Sequence, residues 1–335
     1  MRTMPHVSIL TPVYNGEAYL EECIESVLAQ NYSNWDYTIV NNRSTDRTLE
    51  ISERYACKDA RIRVQNNEEF LDIIGNHNKA FRLISAESKY CKIVSADDWL
   101  FPDCIRRLVE LAEANPSVGI VGSYQLSGSG SDWRAWCVRG SERPYPSTIV
   151  PGRDACRVEL LGGPYVFGAP TSILYRSDLV RREACFYPNP TPEADASACY
   201  KYLQNTDFGF VHQVLSYERI HRETMTTVSR SLNAYLPGLL NNLIEYGPIY
   251  LTPIELEIRL KEVLDNYYKY LAIRFINFAD NKFWDYHKRR LKECGRPLSY
   301  GKLSMAVSAK IVDLIFNPKK TVERALGRLN RSGVS

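Results

Sequence analysis

The sequence predicts an α/β protein with a mostly parallel sheet flanked by helices and a helical C-terminal extension. Three observations predict it. Strand-like and helix-like segments alternate through the first hundred residues, each strand ends in polar side chains, and beyond about residue 226 the pattern turns helical. Alternation of this kind gives βαβ units, and ligands of such sheets bind beyond the carboxyl ends of the strands.

The elements follow in order. "VSILTPVYN" is a β-branched run stopped by Pro12 and Asn15, and "EAYLEECIESVLAQ" places Leu20, Ile24, Val27 and Leu28 on one helical stripe, with Asn15 as its expected N-cap. "DYTIVNN" is a second strand, and "STDRTLEISERYAC" opens a second amphipathic helix with Asp46 as a capping residue. "IRVQNN" is a third strand, "NHNKAFRLISAE" a helix and "YCKIVSA" a fourth strand. Four polar strand ends, Tyr14-Asn15, Asn41-Asn42, Asn66-Asn67 and Asp97-Asp98, are therefore expected along one sheet edge. "DFGFVHQVLSYERIH" is strand-like. The domain boundary is expected near residue 225, giving an α/β domain over 1–225 and a helical, basic region over 226–335.

Composition narrows the class. With 335 residues, 44% hydrophobic and 24% charged, the chain has the make-up of a globular protein. It contains no run of eighteen apolar residues, and "MRTMPHVSIL" lacks a signal-peptide core, so a cytoplasmic location is expected. Nine scattered cysteines without CxxC pairs fit reduced thiols. The net charge of +3 is uneven: residues 281–335 carry thirteen Lys/Arg against four Asp/Glu. Such a tail suits a polyanionic surface or a solvated helical face.

Three segments carry the chemistry: "VSILTPVYNGEAYLEECIESVLAQNYSNWDYTIVNNRSTDRT", "YCKIVSADDWLFPD" and "ADASACYKYL…DFGFVHQVLSYERIH". In this order they resemble the family 2 glycosyltransferases, inverting nucleotide-sugar transferases with a GT-A fold, over roughly residues 6–225. The resemblance implies a nucleoside diphosphate sugar donor and a divalent Mg²⁺ or Mn²⁺ that offsets charge on the leaving diphosphate. It gives Asp98 to the metal and Asp97 to the ribose or donor sugar. His221 would complete the metal shell or bind the diphosphate, and Arg219 would neutralise phosphate. Ser95 stands where many members have a further acid. Pro12 and Tyr14 match the segment lying along the base. Asn42 occupies the position of an aspartate that accepts the N3–H of uracil, so a UDP- or dTDP-sugar is favoured, and Asn78 matches a position close to the nucleotide. Asp195 is the implied catalytic base, with Glu193 as the alternative. "GPYVFGAPTSILYR" falls where relatives shape the acceptor pocket. The implied acceptor is a glycan or lipid-linked saccharide of surface polysaccharide synthesis. Lys319, Lys320, Arg324 and Arg328 beside Ile315 and Phe316 would meet an anionic membrane surface rather than nucleic acid, or form a packing helix.

Other readings of the same residues stay open. Asp97 and Asp98 would also serve as acids at the start of the helix "CIRRLVELAEA", Asn41-Asn42 as a turn, Glu193 and Asp195 as an acidic helix start, and His221 as a structural histidine. Ser95, Asn42 and the split Glu193/Asp195 pair keep a catalytically degenerate binding module in play. A nucleotidyltransferase is disfavoured because "TPVYNGEAYL" lacks Lys and Arg.

Overall fold

All seven residues of β1 (Val7–Val13) are buried, Val7, Ile9, Leu10 and Val13 among them, so both faces of the strand are covered, as a central strand between two helical layers requires. The computed structural model describes residues 4–128, 137–139, 148–188, 191, 193–221 and 232–316. The chain divides into two compact units, residues 1–230 and 231–335.

In the first unit β1 is followed by α1 (Leu20–Leu28), β2 (Trp35–Asn41), α2 (Thr48–Ala56), β3 (Ile62–Asn66), α3 (Ile73–Phe81), β4 (Tyr90–Ile93) and β5 (Trp99–Leu100). Then come α4 (Cys104–Ala114), β6 (Val118–Gly128), β7 (Cys137–Arg139), β8 (Ile149–Val150) and α5 (Gly152–Leu160). A 3-10 turn (Pro170–Ser172), β9 (Ile173–Arg176), α6 (Ser177–Arg181), α7 (Ala194–Tyr202) and β10 (Asp207–Arg219) complete it. The strand order is β3-β2-β1-β4-β9-β6-β10-β5. β1 pairs in parallel with β2 and β4, β2 with β3, and β6 with β10. β9 is antiparallel to both neighbours, β4 and β6. β5 and β8 are antiparallel to β10, and β7 to β6, so the sheet is mixed, parallel over β3-β2-β1-β4 and β6-β10, as a GT-A fold has it.

Register places the polar strand ends together: Val13 lies opposite Asn41, and Asn41 opposite Asn66. Leu10 lies opposite Ile93, so the chain leaves β4 beside the end of β1. Leu20, Cys23, Ile24 and Val27 form the buried stripe of α1. The helix starts at Leu20, not beside Asn15 as the sequence suggested. Asn15 adopts a left-handed backbone (φ 50°), which asparagine tolerates well, and its side chain accepts from the Thr45 N–H at 2.8 Å. It braces one loop against the next instead of capping a helix. The N-cap of α2 is Arg47, which makes no side-chain cap bond; Asp46, one residue earlier, accepts from the Thr48 N–H at 3.0 Å and from the Glu17 N–H at 3.0 Å.

The second unit comprises helices Tyr235–Tyr250, Pro253–Ile276, Asn281–Glu293 and Tyr300–Phe316 among the described residues. Thr252 and Glu255 form a reciprocal capping box ahead of Pro253. His287 is fully buried, 2.6 Å from the Tyr267 hydroxyl and 2.9 Å from the Leu232 carbonyl oxygen; burial pulls it down to about 4, so it is a neutral core residue at physiological pH. The last helix leaves Met305, Ile315 and Phe316 exposed, whereas Lys319, Lys320, Arg324 and Arg328 lie outside the described residues. No helix among the described residues is long and apolar enough to cross a membrane.

Gly152, at the start of α5, marks the tightest approach between a helix and the segment leading into β10. An added Cβ would run into the carbonyl oxygens of Thr206 and Leu203, which are backbone and cannot rotate away. Gly152→Ala should cost about 2 kcal/mol through overpacking, read as a lower midpoint in urea unfolding.

Candidate active site

The site is built where β4 ends. The Asp98 N–H donates to the Ser95 carbonyl at 3.0 Å, closing a turn that presents Asp97 and Asp98 in different directions. β5 then intervenes before α4, so neither acid caps that helix. Asp98 is buried, and both its oxygens are engaged: Oδ2 accepts from the Thr171 hydroxyl at 2.6 Å and Oδ1 from the Arg219 N–H at 3.0 Å. Burial and, secondly, the neighbouring Asp97 charge hold its carboxyl well above the usual range, while those two hydrogen bonds pull the other way.

Asp97 is more open. Its Oδ2 lies 3.1 Å from His221 Nε2, with the two side chains 29% and 25% exposed. Its carbonyl accepts from Arg219 Nε at 3.1 Å. The Arg219 guanidinium also reaches Glu22 at 2.5 Å and lies over the rings of Tyr19, 4.4 Å away, and Trp99, 5.1 Å away. Trp99 in turn stacks on Tyr217 at 3.8 Å. Arg219 is thus a fixed cation at the back of the turn, only 13% exposed, rather than a side chain reaching outward.

These contacts give the two acids different surroundings. The histidine meets Asp97, and Asp98 has its hydrogen bonds spent inside the protein. An imidazole nitrogen and a carboxylate oxygen, both accessible, form a mixed pair that suits Mg²⁺ or Mn²⁺, ions that take few protein ligands and fill the remainder with phosphate oxygens and water. Among the described residues no group of three or more His, Cys, Asp or Glu is placed to hold a metal ion.

The nucleotide side is less simple than the sequence suggested. Asn42 is buried, and its amide is paired with the backbone of Leu71: Nδ2 donates to the carbonyl at 2.7 Å and Oδ1 accepts from the N–H at 3.0 Å. Asn67 Nδ2 donates to Asn42 Oδ1 at 2.9 Å and to Asn76 Oδ1 at 2.8 Å, and the buried Asn67 Oδ1 has no partner among the described residues. Tyr14, 49% exposed, meets Phe70, 59% exposed, edge to face at 4.9 Å. Pro12 is buried within β1, opposite Val40. Asn78 is spent elsewhere, its amide bracketing the Tyr187 backbone at 3.0 Å and 2.8 Å. It is a brace between α3 and the chain approaching α7.

Asp195 lies in the first turn of α7, with Glu193 at the helix N-cap position. The half-buried Asp195 accepts from the Ala196 N–H at 2.8 Å, and burial outweighs this bond to push its carboxyl up to about 6. Burial above all raises the Tyr175 and Tyr187 phenols, and the Asp195 charge adds to it. Thus the structure brings Asp97, Asp98, Arg219 and His221 into one hydrogen-bonded group. Asn42 and Tyr14 belong to neighbouring networks, and Asp195 stands on a separate helix. Phe70, Thr171, Glu22 and Trp99 went unnoticed in the sequence; only an exposed aromatic after a strand end gave Phe70 any local signal. A cleft of about 640 Å³ lined by Pro116, Arg153, Arg176 and Asp207 lies at the opposite ends of β6 and β10, away from the carboxylates.

Comparison with known proteins identifies the family and the fold. The sequence model described as glycosyl transferase family 2 matches residues 8–181, and the chain belongs to that family. The chain is 40% identical over 121 residues to the uncharacterized glycosyltransferase EpsJ of Bacillus subtilis, covering 36% of this chain and 33% of EpsJ; the chain spans about a third to two fifths of the curated relatives it matches first. S. aureus TarS 1-349 in complex with UDP-GlcNAc superposes with a TM-score of 0.61 at 16% identity, over 94% of this chain and 87% of that one. The mannosyltransferase PcManGT from Pyrobaculum calidifontis, in complex with GDP-Man and Mn²⁺, gives 0.53 at 16% identity, over 96% and 83%. At such identities the likeness is one of fold.

The raised Asp195 carboxyl has a consequence for stability. Between about 4 and 6 the folded chain holds a proton that the unfolded chain has lost, so this group's contribution falls as pH rises through that window. Asp195→Asn should therefore melt above the wild type at pH 7.5, with the gap closing by pH 4 in calorimetric scans.

Proposed function

We propose that this protein is an inverting glycosyltransferase that moves a sugar from a nucleoside diphosphate to a hydroxyl of a glycan or lipid-linked acceptor. The observation that carries the reading is the accessible Asp97–His221 pair at the carboxyl end of β4, backed by the fixed Arg219 cation. In this reading Asp97 and His221 hold a divalent ion, Mg²⁺ or Mn²⁺. When bound, the cation stabilises the negative charge of the departing diphosphate. PcManGT, with GDP-Man and Mn²⁺, is a neighbour in fold that supports this choice. Asp98 does not ligate; it fixes the turn that carries Asp97.

The aromatic pair Tyr14–Phe70 offers a stacking surface for the base, and Asn67 Oδ1 is the acceptor left for a base N–H. A uracil or thymine edge has the same donor–acceptor pattern as the Leu71 peptide, so it reaches Asn42 only by displacing that segment. A UDP- or dTDP-sugar remains the favoured donor, and TarS with UDP-GlcNAc supports it. Asp195 takes the proton of the acceptor hydroxyl as that oxygen attacks the anomeric carbon opposite the diphosphate. One C–O bond forms as the other breaks, which inverts the centre. A carboxyl near 6 is ionised at neutral pH and still basic enough for the task.

Two measurements test this. Transfer or donor hydrolysis with Mn²⁺ should rise with pH through about 6, and Asp97→Asn and Asp195→Asn should each lower kcat at least 100-fold. Nucleotide binding without turnover by the wild type would instead support a binding module. Phe70→Ala should weaken UDP binding about tenfold by calorimetry, the scale of one base–aromatic stack; unchanged affinity places the base elsewhere.

A further inference from the structure

Lys92 is the one residue of β4 whose burial cannot be explained by hydrophobicity. Its side chain is 0% exposed. A lysine ammonium without water is costly, and here it is placed with care: Nζ donates to the Thr171 carbonyl at 2.6 Å and to the Ile173 carbonyl at 3.2 Å. Burial pulls its affinity for a proton down, while Cys104, Asp98 and Cys91 act in the opposite sense. Those two carbonyls belong to the 3-10 turn and the first residue of β9, so the ammonium pins the entry of an antiparallel strand against the end of β4.

Thr171 has a second face. Its hydroxyl donates to Asp98 Oδ2 at 2.6 Å, accepts from the Ser95 N–H at 3.1 Å and lies 3.3 Å from Ser95 Oγ. One residue therefore receives the charge of Lys92 on its carbonyl and passes a proton-donating contact to Asp98 through its side chain. The lysine and the aspartate are thereby linked through a single threonine in a dry interior, where their mutual attraction is little screened.

We infer that Lys92 and Thr171 form a buried positioning relay that sets the Asp98 carboxylate, and through the Ser95–Asp98 turn the reach of Asp97. Neither residue touches donor or acceptor. Fixed on one side by Thr171 and on the other by the Arg219 N–H, Asp98 holds the turn so that Asp97 faces His221. An apolar residue at position 92 would pack the same space but leave the Thr171 carbonyl without its donor and the turn without its counter-charge. The inference rests on the reading of the Asp97–His221 pair as the donor diphosphate site.

The test compares Thr171→Val, Thr171→Ser, Lys92→Met and the double variant Lys92→Met/Thr171→Val in the full chain, with thermal melts, UDP calorimetry and steady-state kinetics. Thr171→Val and Lys92→Met should each lower kcat tenfold or more, with acceptor KM unchanged. Thr171→Ser, which keeps the hydroxyl, should stay within about threefold of wild type. The double variant should be no more than about threefold worse than the poorer single one, because both changes cut the same chain of contacts. Turnover unchanged in Lys92→Met below its melting temperature, or losses that multiply in the double variant, would overturn the relay. Should Lys92→Met not fold, Thr171→Val against Thr171→Ser carries the test, and equal turnover in those two overturns the relay. A wild type that neither binds UDP nor turns over a donor would sink the donor-site reading itself, and is thus distinct from failure of the relay.

Discussion

Two carboxylates on adjacent residues at the end of a strand repel one another, and the architecture of the first unit follows from how that repulsion is handled. One acid is taken inside and one is left outside. Asp98 is shielded by a threonine hydroxyl and a backbone N–H drawn from residues 73 and 121 positions away, and Asp97 is turned toward an imidazole. Arg219 pairs with the Glu22 carboxylate rather than with that of Asp97 or Asp98, bonds the Asp97 carbonyl and lies over the rings of Tyr19 and Trp99. Positive charge is thereby stored behind the turn without being consumed by either acid.

The nucleotide side follows a different physical logic. Asn41, Asn42, Asn66, Asn67 and Asn76 occupy the strand ends and the adjoining helix, linked by amide-to-amide bonds from 2.7 to 2.9 Å. Amides fix loop positions by hydrogen bonds alone, which keeps this edge polar but uncharged beside an acidic turn. Neutral polarity there adds no further repulsion beside the two adjacent acids.

Much of this was legible in the sequence. Hydrophobic periodicity and polar strand ends located β1 to β4 and their helices, because in parallel units the core residues are local and regular. The three motifs named the acids, the histidine and the arginine that meet in one group. What periodicity could not reveal was direction. Adjacent residues Asp97 and Asp98 differ only in which side of a turn they face, and the contacts that decide it come from Thr171 and the β10 backbone. Asn42 and Asn78 were recognised as polar residues near a ligand edge, yet their amides are taken by peptides at Leu71 and Tyr187, far along the chain. Lys92 looked like an ordinary strand residue because its acceptors, two carbonyls nearly eighty residues later, leave no trace in local pattern.

The strand order carries a consequence for how the protein is made. β9 is inserted between β4 and β6, and β10 follows last in the first unit. A nascent chain that has reached β5 already displays Asp97 and Asp98, but the groups that bury and orient Asp98 have yet to be synthesised. During that interval the turn is solvated, both acids are exposed, and His221 does not exist. Competence at this edge is thus deferred until translation has passed residue 221, so a stalled or prematurely ended chain carries the acids but none of the site.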